Sequence, residues 1–148
     1  MQASRKLLIF LLWFLPCGVN ASEYHTTFWG NLAVGGYDPV AYFTEEDAMK
    51  GSEDFEYDWQ GAKWRFISQK HLDLFKANPE KYAPRYGGHC AWAVASKNRL
   101  YRGSPQHWDI VQGELYLNHS DSVNRRWRAN SQQHIGEADE NWEQLKAE

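Results

Sequence analysis

The sequence predicts an α+β fold: a small antiparallel sheet built from hairpins, packed with several short helices, in a single domain. Three observations carry this. Two stretches, "FEYDWQGAKWRFIS" and "WDIVQGELYLN", alternate in the manner of strands around a Gln-Gly turn. The helical patterns lie in separate blocks rather than strictly between successive strands, which argues against a parallel α/β sheet. Aromatic residues make up 16% of the 148 positions, and large rings bury much area in a small domain.

Element by element, "YDPVAYF" places Asp38 as a helix cap with Pro39 behind it, so a short helix carries Val40 to Phe43 inward. The first hairpin sets Phe55, Tyr57 and Trp59 on one face, turns at Gln60-Gly61, and returns with Trp64 and Phe66 opposed to Lys63 and Arg65. Ser68 caps a helix running to Ala77 that buries Leu72 and Phe75. Asn78-Pro79 stops it and starts another turn. The second hairpin turns near Gly113. Two helical patterns close the chain, one from about Asp121 with Val123 and Trp127 a turn apart, the other with Ile135, Ala138, Trp142 and Leu145 on one stripe. No linker, repeat or low-complexity tract divides the chain.

The first 21 residues read as a secretory signal peptide: Arg5 and Lys6, the apolar run "LLIFLLWFL", then Val19-Asn20-Ala21 with small residues at the cleavage positions. The run is too short to cross a bilayer comfortably. Lipid attachment at Cys17 is the alternative, disfavoured by Pro16 before it. The expectation is therefore a periplasmic or secreted domain over residues 22–148, with no stable membrane span after processing. The chain carries a net charge of −3, two units more negative once Arg5 and Lys6 depart, which speaks against broad affinity for nucleic acid. Its one basic run, Arg125 to Arg128, reads as a solvated helix face. Only Cys90 remains after processing, so no internal disulfide forms and stability rests on packing.

Taken together and in this order, "YDPVAYF", "YDWQGAKWRFISQKHLDLFKANPEKYAP", "YGGHCAWAV" and "GELYLN" resemble the exported branch of the YHS-domain family, from about Gly36 to Trp142. The short YHS module is taken as a metal-binding unit, associated with copper-transporting ATPases and some hydroxylases. Its common form resembles Asp-Pro-Val-Cys near the start and Phe-Cys-Ser-x-x-Cys before the helix. Here Ala41, Ile67 and His71 stand where those cysteines would be. The exported branch instead resembles a scaffold with one cysteine in a Gly-Gly-x-Cys-Ala context, some relatives carrying selenocysteine, which implies redox or soft-ligand chemistry.

Cys90 is accordingly the candidate catalytic or ligating residue. Gly87 and Gly88 permit close approach of a ligand or another segment, and "CAWAVA" suits the first turn of a buried helix whose N-terminus would lower the thiol pKa. His89 and His71 are the candidate helpers in a metal site, for copper, iron or zinc. His71 is the better placed of the two if its helix packs on the glycine turn, its plainer reading being an exposed helix residue. Three readings of Cys90 stay open: a ligand for a metal ion or a small thiol-reactive molecule, a single-cysteine thiol redox enzyme, and an inert buried thiol in an interaction module. Asp38 reads as a cap rather than a catalytic acid. Tyr37, Tyr82 and Tyr86 read as core, and Asn118-His119-Ser120 fits a glycosylation acceptor.

Overall fold

The structure, a computed structural model, describes residues 23–147; the leader and Cys17 lie outside them. Six helices, α1 (Ala41–Thr44), α2 (Gln69–Ala77), α3 (Pro79–Tyr82), α4 (Ala91–Lys97), α5 (Asp121–Ala129) and α6 (Ser131–Leu145), accompany four strands: β1 (Ser52–Trp59), β2 (Ala62–Phe66), β3 (Ser104–Val111) and β4 (Glu114–Asn118). The strands form two antiparallel hairpins, β1–β2 and β3–β4. This is the α+β arrangement the sequence predicts, with two two-stranded sheets in place of one.

The local chemistry explains the elements. Ser68 accepts the His71 amide and Ser120 the Val123 amide, each capping the helix behind it. The turns need positive φ at two successive residues, met by Gln60-Gly61 and Gln112-Gly113. Leu72 and Phe75 are buried in α2, and Ala138, Trp142 and Leu145 in α6, as their spacing predicts.

The chain is, however, built twice over, which corrects the reading that no repeat exists. β1, β2 and α2 recur as β3, β4 and α5 at a constant offset of 52 positions, Ser52 to Ser104, Ala62 to Glu114 and Gln69 to Asp121. The bulge between Ser52 and Glu56 recurs between Ser104 and Trp108. The bridge Tyr37 to Lys50 recurs as His89 to Arg102. The left-handed residues Val34, Gly35 and Gly36 recur as Tyr86, Gly87 and Gly88.

The two copies pack as one body. Alternate residues of β4 point to opposite faces: Leu115 and Leu117 enter the first core, with Val40, Tyr42, Trp64, Phe66 and Phe75, while Tyr116 enters the second, with Tyr86, Val94, Trp127 and Trp142. Tyr82 and Tyr86 are buried and Tyr37 half-buried, bonded to Gln106. Asn118 is fully buried, so it is no glycosylation acceptor in the folded chain.

Candidate functional site

In the first copy, Asp38 sits at the start of α1 with no solvent exposure. Its Oδ1 accepts the amides of Val40 (2.8 Å) and Ala41 (3.3 Å), and its Oδ2 accepts the amide of Ile67 (2.8 Å). His71 Nδ1 lies 2.7 Å from the same Oδ2, so the imidazole donates there and its Nε2 faces Thr44 Oγ1 at 3.3 Å and Glu45 Oε1 at 3.5 Å. His71 is 4% exposed, which overturns its reading as a surface residue. Asp38 is the expected cap, but its second oxygen also ties β2 and α2 to α1. Ala41, Ile67 and His71 all converge on this one carboxylate.

The second copy repeats the arrangement with sulfur in place of the carboxylate. Cys90 is the residue before α4, as expected, and its amide donates to Tyr101 O as that of Asp38 does to Met49 O. The backbone N–H groups of Ala93, His119 and Trp92, the counterparts of Ala41, Ile67 and Val40, lie beside the sulfur and favour its thiolate, but the Trp92 amide donates to Asn118 Oδ1 at 3.0 Å rather than to the sulfur. The thiol itself donates to Asn118 Oδ1 at 3.7 Å. Asn118 is held by Asn124 Oδ1 at 2.9 Å, and Asn124 by Trp108 O at 3.2 Å. Burial pushes the Cys90 pKa up, and the three N–H groups offset this only in part. The expectation of a lowered thiol pKa is thereby corrected: at neutral pH the sulfur keeps its proton.

Where His71 fills the first copy, Val123 occupies the second, and the imidazole's place is open. A cleft of about 550 Å³ remains, with Cys90, Trp92, Ala93, Lys97, Arg99, Tyr101, His119 and Val123 on its walls. His119 Nδ1 lies 3.1 Å from Arg102 O and donates to that carbonyl. Lys97 Nζ and Arg126 lie over the Trp92 ring at 5.6 and 5.4 Å.

The three candidates named from sequence are not brought together. His71 is committed to Asp38, and His89, next to Cys90 in sequence, turns its ring toward His25 (5.4 Å between centroids) and Trp142 (6.1 Å). Burial, followed by the neighbouring His25, lowers the His89 pKa to about 4. Among the described residues no group of three or more His, Cys, Asp or Glu side chains could hold a metal ion. The glycine pair serves chain packing: a Cβ on Gly87 would meet Glu23 O at 2.1 Å, where His25 N donates to Gly87 O at 2.7 Å. Sequence reading missed His119, Lys97, Arg99 and Val123. The constant spacing of the Gly-Gly and Gln-Gly pairs was the signal that would have found them.

The first copy thus defines a hairpin-and-helix module closed by a capped, buried aspartate. Residues 40–86 match the family model of the YHS domain, a module associated with metal binding. The match begins at Val40, just after Asp38, and stops as the second copy begins. No curated protein and no solved structure matches the chain. No helix among the described residues is long and apolar enough to cross a membrane.

Proposed function

We propose that the protein is exported and acts as a binding protein, holding a small thiol-reactive ligand through Cys90 in the cleft of the second copy. One observation carries the reading. The two copies set corresponding backbone N–H groups around one buried side chain; the first copy places a carboxylate there and closes it with His71, whereas the second places a thiol, 1% exposed, on the wall of a cleft. A soft metal ion is the other ligand the sulfur suits. The surroundings favour the organic ligand: Lys97 and Arg99 line the walls, and among the described residues Cys90 belongs to no group of three or more His, Cys, Asp or Glu side chains that could hold a metal ion. Residues 1–21, with their apolar run, support export.

The test is alkylation of the folded full chain by iodoacetamide as a function of pH. The expected result is a single modified thiol, a rate that climbs through alkaline pH, and no reaction in Cys90→Ser. A thiol that reacts only after unfolding would falsify the proposal. Stoichiometric, Cys90-dependent uptake of Cu(I), iron or zinc on dialysis would replace it with the metal reading.

The backbone N–H groups beside the sulfur, which favour its thiolate, also favour a second reading, thiol oxidation by a hydroperoxide. The Cys90 thiolate attacks the terminal oxygen, the O–O bond breaks, the alkoxide leaves and takes a proton, and the sulfenate oxygen accepts the N–H bonds. A low-molecular-weight thiol must then restore the cysteine through a mixed disulfide, since Cys90 is the free cysteine of the described residues and has no resolving partner there. Formation of a dimedone adduct at Cys90 under peroxide distinguishes it.

A further inference from the structure

We propose that the Cys90 cleft takes a small organic anion carrying a flat ring, the ring lying where the first copy keeps the His71 imidazole and the anionic group meeting Lys97 and Arg99. The inference rests on the cleft being the working site and names the class of its ligand. All eight lining residues are repeats of the residues around Asp38: Cys90 of Asp38, Trp92 of Val40, Ala93 of Ala41, Lys97 of Glu45, Arg99 of Asp47, Tyr101 of Met49, His119 of Ile67 and Val123 of His71. The first copy therefore shows what this space holds when it is filled.

There the occupant is a planar five-membered ring, buried against α1 and pointing its outer nitrogen toward the Glu45 carboxylate at 3.5 Å. The second copy loses the ring by the change to valine and reverses the charge around it, since two acids have become two bases. No carboxylate lines the cleft, in a chain that is acidic overall. The acid closest along the helix, Asp121, is paired with Arg125, and Arg126 lies with Lys97 on the Trp92 ring. An anion is thus met by Lys97 and Arg99, while the ring is met by Trp92 and Val123. Apolar walls with a few placed polar groups are the usual make-up of a small-molecule site.

The experiment uses the ¹⁵N-labelled full chain and three probes: imidazole-4-acetate, which joins ring and anion, imidazole alone and acetate alone. The amide signals of Trp92, Ala93 and His119 report binding. Imidazole-4-acetate is expected to shift them saturably, with a Kd at least tenfold below that of either fragment. Val123→His, which refills the space with the residue the first copy uses there, is expected to weaken binding at least tenfold. Lys97→Glu with Arg99→Asp, both at exposed positions that put folding at little risk, is expected to do the same. Cys90→Ser should retain the probe within about threefold. If alkylation fails while imidazole-4-acetate still binds, the thiol link is lost and the ligand class stands. Imidazole-4-acetate binding no better than its fragments, or equally well to the charge-reversed variant, overturns the inference.

Discussion

The two copies of the module treat the same polar nest in opposite ways. Around Asp38 every lone pair in reach is used, by three amides and an imidazole, and the group is sealed. Around Cys90 the corresponding amides surround a softer, protonated atom buried at the wall of a cleft, and that of Trp92 turns to Asn118 Oδ1 instead. A buried carboxylate with four donors is costly to disturb, because each donor left behind loses its partner. A thiol asks less of its surroundings, and in the second copy it is buried with fewer donors around it. The difference teaches that one architecture can seal a polar group in one copy and set a less demanding one beside a cleft in the other.

The comparison breaks first at its strongest point. Asp38→Ala strands three amides and His71, and is expected to lose about 3–5 kcal/mol in urea unfolding. Cys90→Ala should lose only about 1–2 kcal/mol, mainly in packing. Equal losses would mean the copies are energetically alike.

A rebuilding experiment sharpens it. Cys90→Asp together with Val123→His recreates the first pair in the second copy, and the two changes should couple favourably by about 1–3 kcal/mol in a double-mutant cycle. Simple additivity would show that the nests differ in more than these two residues.

Glycine substitutions probe the outer face of the two turns. Gly87→Ala meets the Glu23 carbonyl and also takes φ +60° with a Cβ, so a loss of about 2 kcal/mol is expected. Gly35→Ala has a similar φ of +62° but only Pro105 Cγ at 3.7 Å, and should lose about 1 kcal/mol.

Acid separates the copies by a smaller margin. At the place of Tyr37 the second copy has His89, which with His25 is held neutral, chiefly by burial. Their folded pKa values lie below the ordinary 6.5, so the unfolded chain binds more protons on acidification. Stability is complete above that value and declines as pH falls from 6.5 toward about 4. The expected loss is about 1–2 kcal/mol after allowance for partial exposure. His89→Gln should flatten the profile, and an unchanged slope would assign the acid response elsewhere.

Much of the fold was legible. The cap at Ser68, the turns at Gln60-Gly61 and near Gly113 and the apolar stripe of α6 are local signals, and each does locally what its chemistry requires. The repeat was not legible as such, because what the copies retain is turn and cap residues, whereas the core residues were exchanged, Trp64 for Tyr116 and Phe75 for Trp127. The Asp38–His71 pair escaped because its members are 33 positions apart and one Asp38 oxygen already had a local job as a cap. Cys90 was singled out correctly as the residue before a helix. Its raised pKa was not foreseeable, since burial by β4 and α5 depends on tertiary contacts.

The strand of chain at residues 24–25 has a practical meaning for anyone wishing to cut the protein into its parts. Tyr24 packs on Trp59 and Trp64 of the first copy, while the next residue is bonded to Gly87 of the second. Tyr42 reaches across to the Pro105 carbonyl. A fragment trimmed to the matched segment 40–86 would forfeit these cross-ties together with Leu115 and Leu117, leaving the first core without part of its own lining.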